Sequence, residues 1–237
     1  IMAQELITIA KIRTGFTEKF GIPRQSGLVD STVARIVFEP EYRTYDALKG
    51  LEEFSHIWLL WGFSEAKYTK FNATVTPPRL GGKVHKGVFA TRSPYRPNSI
   101  GLSSVKLLDI QMDEKNGPVL LVSGADMLDN TPIYDIKPYL AYTDSHPDAD
   151  SGYAARHQDD RIEVDFPENL SHRLPENLRQ TVYDILAQDP RAAYNKKPDY
   201  VYGMNYEKFD IRFKITDNKV QVCDVVDISK ADWDKVK

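Results

Sequence analysis

As far as Asp144 the sequence is cut into short runs of β-branched and aromatic residues bounded by glycine or proline, with no regular alternation of strand and helix. A doubly wound parallel sheet needs a helix between successive strands, so this pattern points instead to an all-β barrel or sandwich. Glu5 to Ile12 and Thr32 to Phe38 read as strands. His56 to Phe63 is a continuous apolar run with two tryptophans and reads as a strand buried on both faces. Leu102 to Met112 and Pro118 to Ala125 form a predicted hairpin turning at Asp113 to Gly117. Tyr42 to Leu51, with Tyr45, Leu48 and Leu51 at helical spacing, reads as a short helix. Phe71 to Asn98 is a long turn-rich segment, and loops of that length in a compact domain are usually functional.

Near Asp144 the character changes. Asp144 to Glu168 is acidic and carries Pro147, Gly152 and Pro167, which suits a linker. Pro175 to Gln188 is the clearest helix, with Leu178, Val182, Ile185 and Leu186 on one face. Phe209 to Ile215 then alternates strictly and turns through Asp217-Asn218 into Val220 to Ile228. The expected organisation is mainly β: an N-terminal barrel over residues 1–145, an acidic crossover over 146–168 and a small α+β domain over 169–237. Hydrophobic residues at 41% and charged residues at 27% exclude wholesale disorder. No apolar run approaches the ~20 residues of a membrane helix, and the first residues lack the pattern of a secretory signal, so a cytoplasmic protein is expected. The single cysteine, Cys223, excludes an internal disulfide and a CxxC zinc site and reads as a small packing residue.

A formal charge of −3 argues against a uniformly basic nucleic-acid binder, but the charges are segregated. Lys67 to Lys106 contains eight bases and no acid, while Leu107 to Asp150 contains nine acids and two bases. Such a basic stretch suits an electropositive face that attracts phosphates, of a nucleotide or a polynucleotide.

Common catalytic signatures are absent: there is no phosphate-binding GxxxxGK[ST], no GxGxxG after a strand, no HExxH and no GxSxG. The five histidines show no ligand spacing, so no metal is expected, and His56 reads as a core histidine. Two other segments stand out. In ATRSPYRPNSIGLS (Ala90 to Ser103) two prolines stiffen a loop presenting Arg92 and Arg96, a residue type suited to bidentate recognition of carboxylate or phosphate. In DNTPIYDIKPYLAYTD (Asp129 to Asp144) Tyr139 and Tyr142 are candidates to stack on a base, and Asp129, Asp135 or Lys137 to bond its edges or a charged tail.

With GIPRQSG (Gly21 to Gly27) and LEEFSHIWLLWGF (Leu51 to Phe63), these segments closely resemble the tRNA N6-adenine methyltransferase family, and DPRAAY (Asp189 to Tyr194) resembles its C-terminal signature. The resemblance implies a small β-barrel with an unusual, non-Rossmann site for S-adenosylmethionine (SAM), a smaller C-terminal domain and a homodimer. It implies methylation of N6-threonylcarbamoyladenosine beside the anticodon of threonine tRNA. The implied cofactor residues are Pro23, Arg24, Gln25, Ser64, Glu65, Arg92, Leu102, Asp129, Asn130, Thr131 and Pro132. Asn130 stands where the family usually has Gly, and Ser99 where it usually has Pro. Asn tolerates positive φ, so the turn is expected to survive, whereas the lost proline is expected to loosen its loop slightly.

The adenine amine is a weak nucleophile, so a carboxylate accepting its proton or strict in-line placement is required. Asp135 is expected to take or orient that proton, Lys137 or an arginine to hold the threonine carboxylate, and Tyr139 or Tyr142 to stack on the base. Lys83, Lys86, Arg96, Arg191, Lys196 and Lys197 are expected to contact tRNA phosphates. Two alternatives are a non-catalytic tRNA-binding module, which would not bind SAM, and a SAM-consuming enzyme acting on a small molecule, which would not methylate tRNA.

Overall fold

In the computed structural model, residues 5–66, 70–157, 160–191 and 200–230 are described. The N-terminal part contains β1 (Ala10–Arg13), β2 (Val33–Phe38), β3 (His56–Gly62), the short pair β4 (Thr74–Val75) and β5 (Lys86–Gly87), β6 (Ile100–Asp113), β7 (Gly117–Ser123) and β8 (Thr131–Pro138). Six of these strands form an antiparallel ring in the order β1-β2-β7-β6-β3-β8. The ring is closed by Ala10 to Ile12 of β1 pairing with Ile133 to Thr131 of β8. Closure leaves no edge strand open to wrong pairing.

Alternation decides what fills this barrel. Ala10, Ile12, Ala34, Ile36, Ile57, Leu59, Val105, Leu120, Val122 and Ile133 are all buried inside it. Two of them are alanines, as a narrow barrel requires if its larger side chains are to interdigitate. β3 is therefore buried on one face only, with Ile57, Leu59 and Trp61 inward and His56, Trp58 and Leu60 on the outer wall. This corrects the expectation of a strand covered on both sides, and with it the core histidine: the His56 ring lies on the outer wall, its Nδ1 2.9 Å from Ser55 Oγ. The expected helix over Tyr42 to Leu51 is three separate turns of 3-10 helix, Pro40–Tyr42, Tyr45–Leu48 and Leu51–Glu53. Extended Thr44 and left-handed Gly50 (φ 86) break the helical path between them.

The C-terminal part contains the single turns α1 (Ala141–Asp144) and α2 (Glu168–Ser171), the helix α3 (Glu176–Ala187), and strands β9 (Glu163–Asp165), β10 (Tyr202–Tyr206), β11 (Phe209–Thr216) and β12 (Lys219–Asp227). The strands form one sheet in the order β10-β11-β12-β9, with β9 parallel to β12. Asp217 and Asn218 turn the β11-β12 hairpin with φ of 50° and 59°, the left-handed pair that a two-residue hairpin demands. Leu178, Val182, Ile185 and Leu186 of α3 are buried in a core shared with this sheet. Each contributes about 1.5–3 kcal/mol on burial. Phe16 and Val29, from the connection between β1 and β2, belong to that same core. The N-terminal chain thus leaves its barrel, packs into the C-terminal unit and returns. Cys223 lies exposed on β12, so it is no packing residue.

Candidate functional site

At the end of the barrel where β3 finishes and β6 and β8 begin, a cleft of about 700 Å³ opens, a volume typical of small-molecule sites. Its walls include Pro23, Arg24, Gln25, Ser64, Glu65, Arg92, Leu102 and Thr131, so eight of the eleven expected cofactor residues converge there. Arg96, expected at phosphates, also lines it.

The remaining three do not line the cleft. Asp129 accepts hydrogen bonds from Arg13 Nε (2.9 Å) and the Thr14 N–H (3.0 Å) and so fixes the exit from β1. Asn130 adopts φ 64, the left-handed conformation anticipated for an Asn in place of Gly, and donates to Asp129. Pro132 pairs with Lys11 in the ring. These residues shape the turn that carries Thr131. At Ser99 the hydroxyl donates to the Pro94 carbonyl at 2.9 Å and the residue's own carbonyl accepts from Phe63 N–H, so this position is tied to both sides of its loop.

The arginines divide by role. Arg24 donates to the carbonyls of Gln188 (3.1 Å), Asp189 (2.6 Å) and Arg191 (3.3 Å), gripping the C-terminal end of α3, where carbonyls lack helical partners. Arg79 reaches the same Gln188 carbonyl and pairs with Asp160 at 3.1 Å. Arg92 instead spends one donor on Gln25 Oε1, and Arg96 one on the Thr91 carbonyl (3.0 Å), and both side chains line the cleft.

Trp61, Phe63, Tyr95, Asp126 and Met127 also line the cleft and are not among the residues expected there. Trp61 lies so close over Gly101 that a Cβ there would sit 2.2 Å from the indole. Its Nε1 donates to Ser103 Oγ (3.0 Å), which donates in turn to Asp126 Oδ1 (2.6 Å). Burial pushes the Asp126 carboxyl above the ordinary range, against the Ser103 hydrogen bond. A single Asp between apolar neighbours carries no sequence signal of its own.

Asp135 and Lys137 lie outside the cleft, ion-paired at 2.9 Å on the outer barrel wall. Leu60 stands opposite Leu102 on one side and Asp135 on the other, so the three share one row of the outer face. At strand spacings of about 4.8 Å, Asp135 is then roughly 10 Å from cleft-lining Leu102. Tyr139 packs on Trp58 (ring centroids 5.5 Å apart), whereas Tyr142 is 88% exposed. Of the expected phosphate contacts, Lys83 is exposed and Lys86 sits 5.5 Å over the Tyr153 ring. Arg191 is a correction: it is buried and tied through Nε and Nη2 to Asp189, because the turn after α3 folds in beneath Arg24. Lys196 and Lys197 lie outside the described residues. Among the described residues no group of three metal-ligating side chains occurs, and no helix is long and apolar enough to cross a membrane.

The donor set fits SAM. Arg92 and Arg96 suit its carboxylate, the aromatic and aliphatic wall suits its adenine, and a buried carboxylate suits its positive charge.

Comparison with known proteins accounts for both halves of the chain. Residues 11–145 match the tRNA-methyltransferase O N-terminal domain and residues 159–228 the TrmO C-terminal domain. A tRNA (adenine(37)-N6)-methyltransferase of Escherichia coli is 39% identical over 223 residues, covering 90% of this chain and 94% of its own. A probable S-adenosyl-L-methionine-binding protein of Pyrococcus abyssi is 34% identical over 72% of this chain and 89% of its own. The crystal structure of TrmO from P. aeruginosa superposes with a TM-score of 0.77 at 33% identity, covering 96% of this chain and 98% of that one. The chain belongs to the tRNA-methyltransferase O family.

Proposed function

We propose that this protein transfers the methyl group of SAM to N6 of N6-threonylcarbamoyladenosine at position 37 of threonine tRNA, acting as a cytoplasmic homodimer. The observation that carries the reading is the convergence of Pro23 to Gln25, Ser64-Glu65, Arg92 and Leu102 on one cleft in a chain of this family.

When bound, SAM supplies a methyl already activated on a sulfonium, so the protein's task is to place and deprotonate the acceptor nitrogen. Arg92 and Arg96, which line the cleft, would hold the cofactor's carboxylate. The acceptor lies across the row Leu102, Leu60 and Asp135, which leads from the cleft to the carboxylate on the same outer face. Lys137 is paired with Asp135 at 2.9 Å. A threonine carboxylate arriving at Lys137 displaces Asp135, whose carboxylate is then turned to the acceptor nitrogen and orients or accepts its proton. Tyr142, exposed beside this face, is free to stack on the splayed base, while Tyr139 braces Trp58. Lys83, Lys86 and the lysines beyond α3 contact phosphates on either side.

Incubation with labelled SAM tests the reading. Label should enter tRNA that carries threonylcarbamoyladenosine and should not enter tRNA lacking it. Label confined to small molecules would contradict it.

A further inference from the structure

Two carboxylates line the cleft, and they differ in kind. Glu65 is at the rim, its side chain 60% exposed and 4.0 Å from Lys19. Asp126 is mostly buried on the floor, and among the described residues it forms no ion pair. The nearby guanidinium of Arg92 is hydrogen-bonded to Gln25 instead. One Asp126 oxygen is held by Ser103, itself held by Trp61, so the carboxylate is fixed in direction. Burial raises its pKa even against the Ser103 and backbone hydrogen bonds and the charge of Arg92, a standing cost that folding alone does not explain.

We propose that Asp126 is the group by which the cleft distinguishes the charged methyl donor from its neutral demethylated product. This rests on the reading of the cleft as a SAM site. In methyl transfer the S–CH3 bond breaks, an N–CH3 bond forms and the acceptor nitrogen releases its proton. The sulfur keeps the bonding electron pair and becomes a neutral thioether. A sulfonium has no N–H or O–H to donate, so hydrogen bonds cannot hold it. What attracts it is a fixed anion set among polarisable groups, and Trp61, Phe63 and Met127 line the cleft with Asp126. A carboxylate that bonded the ribose hydroxyls would bind donor and product alike. One aimed at the sulfonium loses its attraction once the methyl has left, which favours product release.

Calorimetric titration of the full chain with SAM and with S-adenosylhomocysteine separates these roles. Asp126→Asn keeps an acceptor for Ser103 and removes only the charge. The expected result is a loss of SAM affinity of about ten- to thirtyfold with the product's affinity changed less than about threefold. Equal weakening of both ligands, or of neither, would overturn the proposal. Should the Asn variant not fold, the wild type serves with a third ligand carrying a protonated amine in place of the sulfonium. That analogue should bind with SAM-like affinity and the neutral product more weakly, and equal affinities for all three would overturn the proposal. A wild type that bound no SAM at all would overturn the methyltransferase reading itself.

Discussion

The guanidinium of Arg24 donates to the carbonyl oxygen of Asp189 at 2.6 Å, joining residues 165 apart in sequence. The loop that walls the cleft is thereby fastened to the end of α3, and the C-terminal unit becomes part of the cleft's support. DPRAAY, which reads as a signature in the sequence, owes its Asp and Arg to this turn: Asp189 takes φ 46 and pairs with Arg191 beneath the Arg24 contact.

Arg24→Ala should therefore act on both units. Three carbonyl contacts are lost, so urea unfolding should show about 2–3 kcal/mol less stability. SAM affinity, read by calorimetry, should fall at the same time because Gln25 and Arg92 lose their backing. An unchanged SAM affinity would restrict Arg24 to a structural role.

Gly101→Ala should disturb the cleft from inside the barrel. The added Cβ would lie 2.2 Å from Trp61, whose ring is boxed in by Phe63 at 4.3 Å between centroids. Overpacking of this kind costs about 1–3 kcal/mol. Indole fluorescence should shift and SAM affinity should drop, while tRNA binding without SAM should persist.

Asp144 supplies a pH signature. The Leu140 N–H and then Trp58 Nε1 donate to its carboxylate and hold its pKa below the ordinary value. A lowered folded-state pKa means stability that is full above the unfolded-state value and lost as pH falls through the folded one. Acid titration followed by tryptophan fluorescence should show a transition below about pH 4 that Asp144→Asn abolishes.

Asp135→Asn separates chemistry from cofactor binding. Turnover should fall about a hundredfold or more, as for loss of a general base, while SAM affinity stays within about twofold because Asp135 does not line the cleft. Unchanged turnover would remove Asp135 from the mechanism.

The strands are legible where alternation or turn residues mark them: β2, β6 and β7 of the barrel and the β11-β12 hairpin of the C-terminal sheet lie within a few residues of their expected places. β8 is not legible as a strand, since Asp135, Lys137 and the tyrosines make its segment look like a site rather than part of a barrel wall. The residues that the family resemblance implies for the cofactor are brought together by the fold, with Pro23 to Gln25, Ser64-Glu65, Arg92, Leu102 and Thr131 meeting at one cleft. Asp126 is not legible in the sequence, because its meaning comes from Ser103 and Trp61, brought to it by strand pairing. Arg191 was misread for the matching reason: linear sequence does not say whether an arginine faces solvent or a buried Asp189.

The most direct measurement is nucleoside mass spectrometry of threonine tRNA after incubation with the protein and SAM. The expected result is one added methyl, on N6 of threonylcarbamoyladenosine at position 37, absent from tRNA with unmodified adenosine there. A methyl on any other nucleoside, or none under conditions where SAM binds, would contradict it.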